Sequence, residues 1–207
     1  MGVPRVITPI TGEEYLKSYN FVDTLTGQGV LTIFLCDTED SVGKAYNLTT
    51  YTVDSADKYV TAGATVGAWG TLTDYDFDTT IYKPFQVEGK MLVNVTMAAI
   101  SGGGGNAHTY LRIYLRRWDG TTETEIASNT TDTLDSSATT VYSRELVEID
   151  VPKTSFKQGD TLRITIVQKG YGASGTVRYY IDPSNRTPVD TDNKSTTFVC
   201  FIPVVVQ

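Results

Sequence analysis

The chain has 207 residues, 40% apolar and 20% charged: enough apolar material for one generous core, and too little charge for an unfolded chain. A net charge of −7 repels phosphate backbones and sets the chain against a nucleic-acid partner. No window approaches the roughly 20 apolar residues of a membrane helix, so a membrane partner is not expected either.

Residues 1–10 carry Pro4, Arg5 and Pro9 in place of an apolar leader, which places synthesis in the cytoplasm. Thr11 and Glu14 have capping-box spacing, and Tyr15, Leu16 and Tyr19 would line a helix of about two turns, ended by Gly27 and Gly29. From there the pattern is one of strands. With 13 Tyr and 18 Gly among many Thr, the composition suits pleated surfaces and tight turns. Residues 29–36 form an apolar strand and 46–53 a looser one, with loops expected over 37–45 and 54–66.

The regular part begins near residue 68. Residues 72–78 alternate with period two, and Pro84 to Gly89 reads as an edge segment and turn. Met91, Val93, Val95 and Met97 share one face of the next strand. Gly102 to Gly105 is a loop tip. In residues 109–118, Leu111, Ile113 and Leu115 point inward, while Tyr110, Arg112, Tyr114 and Arg116 point outward. Asp119-Gly120 signals a two-residue hairpin with a return strand from Thr121 to Ile126. A polar loop is expected over 129–139. Val147, Ile149 and Val151, then Leu162, Ile164 and Ile166, then Val177, Tyr179 and Ile181 mark three further strands. Their connections are the turn Gln158-Gly159-Asp160 and a loop over 170–175; a long loop over 182–193 precedes a closing strand over 196–206. About eight strands after residue 68, without crossover helices, predict an all-β antiparallel sandwich of jelly-roll type with an N-terminal extension. The corresponding division is residues 1–64 as an arm or small subdomain and 65–207 as the sandwich.

Cys36 and Cys200 both lie in apolar runs and read as two buried thiols, with a single disulfide as the alternative. His108 is the only histidine. No Gly-x-Ser-x-Gly elbow or His-Glu-x-x-His pair accompanies it, so it reads as an exposed loop residue and the chain as a non-enzyme. Glu123, Glu125, Glu145, Glu148 and Asp150 offer carboxylate pairs, but only their separation in space would make a glycosidase of them. Asp74, Asp76 and Asp78 would share one strand face, where three carboxylates repel unless a cation or solvent intervenes; the row reads as a solvated face that blunts edge pairing, with a surface Ca²⁺ site as the alternative. An EF-hand is excluded, because Thr79 and Phe85 stand where its Gly and Glu belong. Tyr110, Tyr114, Trp118 and Tyr171 are outward or near loops, and suit either a protein interface or stacking on glycans.

Three stretches, Pro84 to Lys90, Leu111 to Thr121 and Gly159 to Ile164, are followed by Tyr180-Ile181-Asp182-Pro183-Ser184-Asn185-Arg186. In this order they resemble jelly-roll structural proteins of tailed bacterial or archaeal viruses, such as capsid decoration, turret and tail-associated proteins, over roughly residues 68–207. The resemblance implies a virion component that binds capsid or other virion proteins and forms a closed homo-oligomer, a trimer among the candidates. It brings no catalytic residues. The rival expectation is a carbohydrate-binding module that recognises glycans through the exposed aromatics.

Overall fold

The structure is a computed structural model that describes residues 28–39, 44–50, 59–64, 68–101, 105–137, 139–181 and 198–205. The predicted N-terminal helix and the loop over 182–193 lie outside the described residues.

Among the described residues the fold is all-β: twelve strands in an antiparallel sandwich. They are β1 (Gln28–Glu39), β2 (Lys44–Thr49), β3 (Tyr59–Gly63), β4 (Gly70–Thr80), β5 (Phe85–Ser101), β6 (Ala107–Trp118), β7 (Glu123–Thr130), β8 (Leu134–Ser136), β9 (Val141–Phe156), β10 (Thr161–Gly172), β11 (Gly175–Tyr180) and β12 (Val199–Val205). The pairing order is β3-β11-β5-β12-β1-β2-β4-β10-β6-β7, with β9 on the other flank of β5 and β8 beside β6. One layer is built on β5 and the other on β10, which lies between β4 and β6. The β1–β2 pair joins the layers, and β2 meets β4 in a single parallel bridge, Asn47 to Asp78.

Alternation explains the interior. Met91, Val93, Val95 and Met97 of β5, Leu111, Ile113 and Leu115 of β6, and Leu162, Ile164 and Ile166 of β10 are fully buried in one cluster. Removing each such side chain from water contributes about 1.5–3 kcal/mol. Phe77 joins them with Tyr46 against it, ring centroids 5.1 Å apart.

The described strands within residues 28–64 pair with strands of residues 65–207. β1 pairs with β12 from Gln28↔Val205 to Phe34↔Val199, β3 pairs with β11, and Ile33, Leu35, Leu48 and Val60 lie in the common core. A boundary at residue 64 would cut through one sheet. β3 itself falls where a loop was expected, because its short run Tyr59–Gly63 becomes a strand only by pairing with β11.

Other expectations change for local reasons. Pro84 to Gly89 is not an edge segment: from Phe85 onward it runs into the 17-residue β5, paired on both flanks. The turn-like sign there was Gly89, which sits at φ +120 in a register shift against β9. A Cβ at Gly89 would lie 3.5 Å from the Pro203 ring, at the point where the β5–β12 ladder is also interrupted. A proline without N–H is tolerated in a central strand at such an irregularity. The 119–122 connection spans four residues rather than two. Asp119 Oδ1 accepts the Thr121 and Thr122 N–H groups at 2.9 and 2.7 Å, and Gly120 takes φ +93. The expected loop over 129–139 is partly strand, and that over 170–175 largely so. β7 runs to Thr130, β8 occupies 134–136, and β10 reaches Gly172 before a tight connection at Ala173-Ser174.

The flank of β9 that faces β7 carries no ladder. Asn129 Nδ2 donates to the Glu148 carbonyl at 2.7 Å, and Arg117 Nη1 to the Ser155 carbonyl at 3.0 Å. Side chains thus engage an edge that would otherwise recruit another strand.

Both cysteines are buried thiols outside any disulfide, and Cys36 Sγ donates to the Asn47 carbonyl at 3.5 Å. Cys200 is opposite Ile33 across the β1–β12 ladder, and Cys36 is three residues further along β1, so the two thiols leave opposite faces of the sheet. That orientation rules out a disulfide between them, and burial pushes the Cys200 thiol well above its usual range.

Candidate functional site

The outer face of the β4–β10–β6–β7 layer carries most of the residues that the sequence singled out. Direct pairing sets which of them are neighbours. Arg163 lies between Asp78 of β4 and Arg116 of β6, Thr165 between Asp76 and Tyr114, and Val167 between Asp74 and Arg112. Paired residues across an antiparallel ladder share a face, so this face reads carboxylates, then β10, then an aromatic and basic row.

Two members of the aspartate row, Asp76 and Asp78, are held by an arginine clamp, while Asp74 lies further along β4, opposite Val167. Arg163 Nε and Nη2 donate to the two oxygens of Asp78 at 2.8 and 2.7 Å. Its Nη1 lies 3.0 Å from Asp76 Oδ2 and 2.6 Å from Glu123 Oε2. Arg116 Nη1 takes the other Glu123 oxygen at 2.5 Å, and the Thr165 hydroxyl donates to Asp76 at 2.6 Å. Hydrogen bonds to Asp78, and then to Glu123, hold the Arg163 guanidinium charged above its usual range, against burial, which pulls the other way. A planar fork that reaches three carboxylates supplies the counter-charge that a cation would otherwise bring. Among the described residues no three His, Cys, Asp or Glu side chains converge as a metal group.

The other acidic residues are similarly engaged. Glu125 accepts from the Ser128 hydroxyl at 2.9 Å and Glu145 from Ser143. Lys90 Nζ lies 2.8 Å from Glu148 and 3.8 Å from Asp150; the Glu148 hydrogen bond is the main cause that raises the Lys90 ammonium above its usual range.

The four aromatic candidates divide into two groups. Tyr114 is covered by the protein's own cations, with the Arg112 and Arg116 guanidinium carbons 4.9 and 4.4 Å from its ring centre; Arg163 lies 5.9 Å from the Trp118 ring. Tyr110 and Tyr171 belong to a different cluster at the end of β6 where it begins. Trp69 stands between them, 5.1 Å from Tyr110 and 4.6 Å from Tyr171. His108 stacks on Tyr171 at 4.1 Å with the rings 10° apart, and its Nδ1 lies 2.5 Å from Asp135 Oδ1. Lys169, directly opposite Tyr110, donates to the Thr71 hydroxyl.

His108 is therefore a strand residue that backs a tyrosine, not an exposed loop histidine. Its side chain is only 16% exposed, whereas Trp69 remains 45% exposed. Sequence reasoning missed Asp135 and Arg163. Neither has a local signal: Asp135 stood in an apparent loop, and Arg163 acts on Asp78 at a sequence separation of 85.

On the outer face of the other layer, Tyr59, Tyr142 and Tyr180 gather, with Arg178 4.1 Å from the centre of the Tyr59 ring. Thr96 and Ala98 of β5, the direct partners of Tyr180 and Arg178, are buried there. Behind them Tyr179 points inward. Burial pushes its phenol well above the usual range, Tyr46 and Tyr75 add to the shift, and the Thr73 hydroxyl opposes it.

Neither a protein-family profile nor a curated protein sequence matches this chain. Its fold is similar to part of a CocE/NonD family hydrolase from Staphylococcus aureus, with a TM-score of 0.52 and 13% identity over 84% of this chain and 36% of the hydrolase. It is similar also to part of an aminopeptidase from a marine sediment archaeon, Thaumarchaeota archaeon, with a TM-score of 0.51 and 9% identity over 84% of this chain and 37% of that one. The chain thus spans little more than a third of these proteins, and at such identities the likeness is one of fold alone.

Proposed function

We propose that this chain is a non-enzymatic structural protein of a virion, a capsid-decoration or tail-associated component that oligomerises and binds the virion surface. The observation that carries the reading is the use made of the charged residues. Asp76, Asp78, Glu123, Arg116 and Arg163, spread over four strands, are spent on tying those strands together from outside. Large apolar side chains that remain exposed, Val30 at 45%, Tyr82 at 53% and Leu146 at 62%, supply contact points for neighbouring subunits. The order of sequence features in residues 68–207 supports the same reading.

The solution mass of the purified chain, measured by light scattering over a range of concentrations, tests it. A stable trimer or larger ring is expected. A monomer throughout, which also fails to co-sediment with capsids of the parent virus, would overturn it. The likeness to part of two hydrolytic enzymes favours a second reading, a β-sandwich module of a larger hydrolase. That reading expects the monomer.

A further inference from the structure

We propose that Trp69, Tyr110 and Tyr171 form a carbohydrate-binding platform that takes a pyranose ring of a neutral glycan. This goes beyond the structural role above, and requires only that these rings lie outside any contact between copies of the chain.

Trp69 keeps 45% of its surface in water, yet it is not loose. Tyr110 and Tyr171 brace it at 5.1 and 4.6 Å with their planes inclined by 55° and 70°. Tyr171 is in turn stacked on His108, and Asp135 holds the imidazole. Each ring is thus fixed by the next, from a carboxylate through an imidazole and a phenol to an indole. A rigid exposed ring loses little freedom when a ligand stacks on it, which is what a binding surface requires.

The strands beneath are packed to hold this arrangement. A Cβ at Gly170 would lie 2.7 Å from the His108 carbonyl, and one at Gly172 would lie 2.1 Å from the Asn106 carbonyl. The glycines let β10 approach β6 closely, where Tyr171 and His108 are direct partners.

The chemistry around the rings selects the occupant. A sugar presents a flat C–H face to an aromatic ring and hydroxyls at its rim. The rim here carries the Asp135 carboxylate, 64% exposed, to accept hydroxyl hydrogens, and the Lys169 ammonium with the Thr71 hydroxyl to donate. A nucleobase would bring phosphates to a chain of net charge −7. A stable protein partner needs on the order of 1,200 Å² of total buried area, whereas this apolar surface is three rings bounded at once by Lys169, Thr71 and Asp135. The remaining outward aromatics of this layer are not equivalent, since guanidinium groups already cover Tyr114 and approach Trp118.

The sequence contains two tryptophans, so Trp118→Phe leaves Trp69 as the sole indole reporter. This variant would be titrated with hexasaccharides of β-1,4-glucose, α-1,4-glucose, β-1,4-mannose and β-1,4-N-acetylglucosamine, with calorimetry on the unaltered chain in parallel. The expected result is a saturable change in Trp69 emission with at least one of them, matched by calorimetric heat. Tyr171→Ala should weaken it about tenfold or more, and Tyr114→Ala should leave it unchanged. Absence of saturable binding to every hexasaccharide by both methods would overturn the proposal. So would an emission change that follows protein concentration without sugar, because the rings would then be buried between copies of the chain.

Discussion

Replacing Arg163 with methionine keeps most of the aliphatic stem and removes every donor from the clamp. Arg163 is 18% exposed; its partners Asp76, Asp78 and Glu123 are 39%, 36% and 29% exposed. A charge-assisted hydrogen bond to a buried group contributes about 1.5–3 kcal/mol, and a fully exposed ion pair about 0.2–1 kcal/mol. Carboxylates that are about a third exposed fall nearer the lower range, roughly 0.5–1 kcal/mol each after solvent screening. Three such partners give a loss of about 2 kcal/mol. In a chain of this length that corresponds to about 4–8 °C in Tm. Urea unfolding with an unchanged m-value measures it. The three carboxylates left behind repel one another, so the deficit should shrink between about 0.05 and about 0.5 M NaCl. Arg163→Lys should recover part of the charge term but not the two-pronged contact with Asp78. A double-mutant cycle with Asp78→Asn should return a coupling of about 1 kcal/mol. A loss below about 0.5 kcal/mol, with no salt dependence, would refute the view that this face is held together electrostatically.

Three further outcomes are expected. Gly172→Ala forces a Cβ to within 2.1 Å of a backbone oxygen, so it should destabilise by about 3 kcal/mol, the upper end of the overpacking range, in chemical denaturation and loosen the Tyr171–His108 stack. The Tyr46 phenol is pushed up to about 12, chiefly by burial and then by Tyr75 and Asp37. Its folded value lies above the ordinary value near 10, so its contribution is fully present below pH ~10 and is lost between pH ~10 and ~12; Tyr46→Phe should flatten the stability curve there. Finally, a thiol reagent should find neither Cys36 nor Cys200 in the native protein and both after denaturation, because both are fully buried.

Much of the fold was legible in the chain because a half-buried strand writes its orientation into every second residue. Met91 to Met97, Leu111 to Leu115 and Leu162 to Ile166 show the alternation, and all of these inward residues are buried. The antiparallel sandwich follows from those runs, their spacing and the lack of crossover helices. Short or glycine-bearing stretches carried no such pattern. β3 and β8 are strands only because β11 and β6 supply the other half of their ladders, and Gly170 and Gly172 look like loop residues until the close approach of β6 explains them.

For the site, residue type and outward direction could be read from the sequence, but company could not. The same alternation that put Tyr110 and Tyr114 on one face of β6 left them indistinguishable. Tertiary structure separated them, placing guanidinium groups over Tyr114 and the exposed Trp69 indole beside Tyr110. It also brought Arg163 to an aspartate row that, taken alone, read as a solvated face or a metal site. The physical reason is range. Periodicity is local and survives in one dimension, whereas neutralisation and stacking join residues many positions apart and exist only once the ladder register is set.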